Sequence, residues 1–300
     1  MNRVPSLLLA FVLSVAAVTV EPATRLMAFP AVPAGEPDPQ ASLKTAAANV
    51  PDTAFADYDF QTEQQLLALA NQSRHQAGAP PLTIDSGLSQ AARIHAQAMR
   101  EARQLSHQFD GEPSLPDRLA ATTQLQLEQE GENAALDYDA EHGHEHLMLF
   151  APHRRNLLNP AYNVVGLGVV RSGDRLYIVQ DFGYALPKYS PGEVKQYVAA
   201  AVNEARRQAR QPNLRRRDWL GADDAACSMA QADKLGTTPV LKLAGSFNVL
   251  SFTSLHPQTL PARAVRVVTG RSLRSYSIGA CYGRTETYPT GVYWVVLSLE

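Results

Sequence analysis

From Gln61 onward, apolar residues return at helical spacing: Leu66, Leu67 and Ala70 with Arg74, then Leu88, Ala91, Ala92, Ile94, His95, Ala98 and Met99. The Gly78-Ala79-Pro80-Pro81 stretch interrupts them, so the pattern predicts two helices joined by a Pro-containing turn, with Asp85-Ser86 as the N-cap region of the second. A polar segment with Gly111, Pro113 and Pro116 follows, and a third helix is predicted around Glu145 to Leu149. Two β-type runs come next, Val164 to Val170 and Arg175 to Phe182, turned by Ser172-Gly173-Asp174. Helices first and a hairpin later predict stacked α and β layers rather than a βαβ series.

The pattern recurs. A shift of 132 aligns Asn71, Arg74, Gln76, Ala77, Pro80, Leu82 and Leu88 with Asn203, Arg206, Gln208, Ala209, Pro212, Leu214 and Leu220 without a gap. At the ends of the halves, Val165-Gly166 matches Ile278-Gly279 with a shift of 113, which places a second hairpin at Tyr276 to Gly283 and Val292 to Leu299. The expected layout is therefore a domain over residues 61–187 and a second over residues 193–300, the latter a degenerate copy of the first or an unrelated small α+β domain.

Ahead of these lies a different composition. Met1-Asn2-Arg3 is followed by an apolar run from Val4 to Val20, which reads as a secretory signal over residues 1–22, with a retained signal anchor as the alternative. Residues 23–60, rich in Pro and Ala without an apolar period, read as an exposed linker. The expected location is secreted or periplasmic, with no membrane span once the signal is cleaved. Lys plus Arg at 27 against Asp plus Glu at 29 gives a net charge of -2, without the basic excess that nucleic acid binding favours. The two cysteines, Cys227 and Cys281, rule out a four-thiolate zinc site; an exported chain permits a disulfide between them, and two free thiols are the alternative.

Candidate chemistry centres on histidine. His142, His144 and His146 alternate with Glu141 and Glu145 nearby, and His107 and His153 lie on either side in sequence. Imidazole and carboxylate together suit a divalent transition metal. On one continuous helix from Glu145, His146 and His153 would share a face. The His-Glu-x-x-His signature of zinc proteases is absent, and no P-loop, Gly-x-Ser-x-Gly or Gly-x-Gly-x-x-Gly occurs. Ser106 beside His107 lacks the strand–turn–helix setting of a nucleophile.

Several segments occur in a telling order: Asn71-x-x-Arg74 with Pro81-Leu82 and Ala91 to Met99, then Leu105-Ser106-His107, Gly131-Glu132-Asn133, His153 to Pro160, Val165 to Gly168, and Gln180-Asp181-Phe182. This set, covering about residues 61 to 185, resembles the CAP superfamily (cysteine-rich secretory, antigen 5 and pathogenesis-related proteins; the SCP domain) in its bacterial form. The resemblance implies an α-β-α sandwich around a central, mostly antiparallel sheet, and a cleft of two histidines and two glutamates able to hold a divalent cation, with zinc the best chemical match. Carried over by motif, the ligands are His107, Glu132 and His153, with Glu145 as the second carboxylate and Glu141 competing for that place. Such a protein is expected to act as an extracytoplasmic binding module for a lipid or cell-envelope ligand. A metal-dependent hydrolase using Glu132 or Glu145 as base, and a structural envelope or adhesion protein with a purely structural tetrad, are the alternatives.

Overall fold

The structure, a computed structural model, describes residues 58–219 and 221–300. The signal and nearly all of the linker expected from the sequence lie outside the described residues. In chain order the first half contains α1 (Phe60–Gln76), β1 (Thr83–Ile84), α2 (Ser86–Ala102), α3 (Leu115–Thr122), β2 (Gln126–Asp137), α4 (Ala140–Leu149), α5 (Ala151–Leu158), β3 (Val164–Ser172) and β4 (Arg175–Leu186). The second half contains α6 (Pro191–Gln208), β5 (Arg215–Arg216), α7 (Ala222–Gln231), α8 (Thr238–Ala244), β6 (Asn248–Ser254), α9 (Ala262–Val268), β7 (Ser275–Gly283) and β8 (Val292–Leu299).

The helix starts follow local chemistry. Asp59 accepts from the Thr62 amide and Asp85 from the Leu88 amide, and Ser190 and Glu193 form a reciprocal capping box on α6. The first sheet has the order β1-β3-β4-β2, parallel only between β1 and β3. On one face α2 packs Ala92, Ala96 and Met99 against Ala134, Val170 and Val179. On the other, Leu66, Ala70, Leu147 and Leu157 of α1, α4 and α5 meet Leu167, Ile178 and Phe182. The result is an α-β-α sandwich. Glycine sets the spacing of α2: a Cβ on Gly166 would stand 2.1 Å from the Leu88 carbonyl carbon, and one on Gly168 2.3 Å from that of Ala92.

The second sheet has the order β5-β7-β8-β6, the same arrangement as the first. Helices α6 and α9 cover one face, around Val198, Val268, Ile278 and Val295, while α7 and α8 cover the other around Met229, Val240 and Trp294. Equivalent arginines lock each half. Arg74 donates to the carbonyls of Pro80, Leu157, Asn159 and Tyr162. Arg206 donates to those of Pro212, Val268 and Gly270. Thr83 pairs with Val164 and Arg215 with Ser275, so the shift between halves is 132 at β1 and β5 but 111 at the start of β3 and β7, two residues from the sequence match of the hairpins. Cys227 on α7 and Cys281 on β7 form a disulfide.

The halves meet along the end of α3 and the start of β2. Thr290, in the loop between β7 and β8, donates its hydroxyl to the Leu127 carbonyl and accepts from the Leu127 amide, both at 3.2 Å. Arg284 donates to the carbonyls of Ala120, Thr123 and Leu125, and His256 lies 2.8 Å from Glu128.

Candidate functional site

Glu132 sits at the centre of β2, opposite Asp181 of β4. It is thus held by a strand, although the polar run Gln126–Asp137 carries no alternating apolar signal. Glu132 Oε1 accepts from His107 Nδ1 at 2.8 Å, and Oε2 accepts from the Arg118 guanidinium of α3. Behind them His95 of α2, fully buried, faces Glu112 Oε1 at 2.6 Å through Nδ1 and the Ser106 carbonyl at 2.9 Å through Nε2. Glu112 Oε2 accepts from the Phe109 amide and lies 3.5 Å from Arg118. Arg118 therefore bridges two carboxylates in the interior, the pairing that buried charges require.

The third carboxyl is Asp181, with 0% exposure. Burial first, then the Glu132 charge, push it well above the usual carboxylate range, and among the described residues neither of its oxygens has a hydrogen-bond partner.

His153 enters from α5. Its ring lies edge-on to His107 with centroids 6.0 Å apart, and its own backbone carbonyl accepts from Asn133, whose side chain also bonds Gln180. The hydrogen bond to Glu132 raises the His107 pKa, whereas burial and then the His107 charge lower that of His153. Phe150 stacks edge-on against His153 at 4.8 Å. Leu149 and Phe150 are 69% and 56% exposed, and Leu105, two residues before His107, is 49% exposed.

Glu145 is not part of this group. Helix α4 buries His144 and Leu147, which turns Glu145 and Glu141 toward solvent. The chain breaks at Phe150, and Pro152 occupies the first turn of a separate α5, so His146 and His153 do not share one helix. The alternating histidines also separate. His142 pairs with Asp139, His146 with Asp137, and buried His144 shares a 2.8 Å hydrogen bond with Ser73. Glu112 and Arg118 belong to the site without any motif to mark them, and Asp181 and His95 stand in the Gln180-Asp181-Phe182 and Ala91–Met99 segments, whose polar members pointed to no role of their own.

A cation in such a cleft calls for about three protein ligands. Among the described residues no three His, Cys, Asp or Glu side chains converge as a metal-binding group. Glu132 gives one oxygen to His107 and the other to Arg118, and Glu112 is similarly engaged. The set does not fit a metal bonded directly to Glu132. Glu132 instead stands behind His107 and fixes its ring.

The sequence model of the cysteine-rich secretory protein family, CAP, matches residues 67–182, most of the span that builds the first sandwich and brings His107, Glu132 and His153 together. These residues form a CAP domain. Two Bacillus subtilis proteins are similar to part of this chain: the uncharacterized membrane protein YlbC, 33% identical over 44% of this chain and 37% of its own length, and the uncharacterized protein YkwD, 32% identical over 37% and 43%. The chain thus spans well under half the length of either. Among solved structures, an extracellular SCP-domain protein of Bacillus anthracis is 27% identical, covering 41% of this chain and 40% of that one with a TM-score of 0.37. Outside the CAP domain, strand β6, which takes the place of β2 in the second sheet, reads Asn-Val-Leu-Ser-Phe-Thr-Ser and carries neither carboxylate nor imidazole. No helix among the described residues is long and apolar enough to cross a membrane.

Proposed function

We propose that the CAP domain is an extracytoplasmic binding module whose His107–His153 cleft receives the head of an amphiphilic lipid or envelope ligand. The observation that carries this reading is exposed Phe150, edge-on to His153, with exposed Leu149 next to it in the chain and exposed Leu105 two residues before His107. Exposed large apolar side chains grouped around a polar centre mark a binding surface. The Cys227–Cys281 disulfide supports an oxidising, extracytoplasmic setting. A divalent cation, zinc above all, would be held by His107 and His153, and when bound it supplies positive charge for an anionic head group. Hydrolysis is the weaker reading, because both oxygens of Glu132 are engaged and neither is left to act as base.

The test compares the full chain with His107→Ala/His153→Ala and with Leu149→Ser/Phe150→Ser, using zinc calorimetry and mass spectrometry of co-purified lipid, with circular dichroism as the folding control. The expected result is about one zinc per chain, lost in the histidine variant, and lipid retention lost in the Leu149/Phe150 variant. Equal zinc binding by wild type and histidine variant, or equal lipid content in the Leu149/Phe150 variant, overturns the corresponding half of the reading.

A further inference from the structure

Residues 205–217 hold six arginines and no carboxylate. Arg206 is buried and structural, and Arg207 pairs with Glu204. The remainder cluster with arginines from the loop between α9 and β7. Arg215 donates its amide to the Arg274 carbonyl, Arg274 donates its side chain to the Arg271 carbonyl, and Arg206 ties the end of α6 to the Gly270 carbonyl beside Arg271. Arg210, Arg215, Arg216, Arg217, Arg271 and Arg274 are all exposed, and among the described residues none forms an ion pair with a carboxylate. Strand β5 is outermost in its sheet, so these arginines line an edge of the molecule, with Arg215 and Arg216 on opposite sides of the strand.

The first half supplies an internal control. At the positions matched by the Arg74 and Arg206 locks and by strand pairing, it carries Gly78, Thr83, Ile84, Asp85, Pro160 and Asn163. The same architecture therefore stands without a single arginine at those six places. Like charges crowded at an edge destabilise a fold, and Arg274 already depresses the Arg206 pKa, after burial. The six arginines are thus explained by a partner rather than by the fold.

We infer that this arginine edge docks the chain onto the phosphate head groups of an anionic phospholipid bilayer. The guanidinium fork matches phosphate oxygens in pairs. Six of the 27 basic residues gather here in a chain of net charge -2, so the surface outside the edge is net acidic. A flat anionic surface meets one edge and leaves the acidic remainder in water, whereas a flexible polyanion wrapping the protein would meet that remainder. The patch also lacks exposed aromatics for base stacking, since Tyr276 beside it is buried.

The test is sedimentation of the full chain with vesicles of phosphatidylglycerol and phosphatidylcholine, or of phosphatidylcholine alone. Wild type is compared with Arg215→Gln/Arg216→Gln/Arg217→Gln and with Arg271→Gln/Arg274→Gln; all five are exposed side chains, and circular dichroism checks the fold. The expected result is preference for the anionic vesicles, lowered about five-fold per arginine removed and abolished by high salt. Equal binding to both vesicle types, unchanged binding by the triple variant, or tighter binding to a DNA duplex or polyphosphate than to anionic vesicles would each overturn it.

Discussion

Arg118 is the side chain on which the cleft depends. It is almost fully buried and faces Glu132 and Glu112 together. Arg118→Ala leaves two interior carboxylates without their cation, and a loss of about 3–5 kcal/mol is expected in urea unfolding followed by circular dichroism. Titration of the histidines gives a second expectation. Burial lowers the pKa of His144 and His153 below the free value of 6.5, so the unfolded chain binds more protons there. Their contribution is complete above pH 6.5 and is lost as pH falls from there through their folded values. His107, raised mainly by its bond to Glu132, has the opposite sign: its contribution is complete below pH 6.5 and lost as pH rises through its folded value. Stability of His144→Gln followed between pH 7 and 5 should therefore fall less steeply on acidification than that of wild type; an unchanged slope would show that His144 is not the group responsible.

Among the elements, β3 tolerates little change, because two of its glycines lie against the backbone of α2. Gly166→Ala and Gly168→Ala each drive a methyl group into the backbone of α2, and overpacking of that kind costs about 3 kcal/mol, readable as a lowered thermal midpoint. Legibility in the sequence follows the same physics. Strands β3 and β4 are buried on both faces and announce themselves as apolar runs, and α2 shows its Ala-rich stripe. Strand β2, an edge with Gln126 to Asn133 mostly polar, has no such signature, and α3 hides in a Pro-rich polar stretch. The site divides likewise: His107, Glu132, His153 and Asp181 stand in short motifs, while Glu112 and Arg118 come from segments whose burial only the fold decides. Glu145 matched the expected chemistry, but the phase of α4 turned it outward.

On the scale of the whole molecule, two sandwiches of one topology are joined through few groups. Arg284 alone satisfies three carbonyls of the CAP domain, at Ala120, Thr123 and Leu125. Arg284→Ala should cost about 2 kcal/mol and split calorimetric unfolding into two transitions, because it weakens the link without touching either core. A single cooperative transition in that variant would show that Thr290 and the Glu128–His256 pair suffice. The disulfide acts within the second sandwich only, closing 54 residues of chain, so reduction is expected to lower the midpoint of that transition first.

The clasp of Thr290 on Leu127 also has a bearing on biosynthesis. Residue 290 emerges last, 163 positions after the strand it covers. Until then, a nascent CAP domain shows the bare backbone of β2 at Leu127, a template for pairing with any neighbouring chain. Chaperone demand should therefore peak in the interval between the two, and a chain halted near residue 187 should be the aggregation-prone species rather than either finished product.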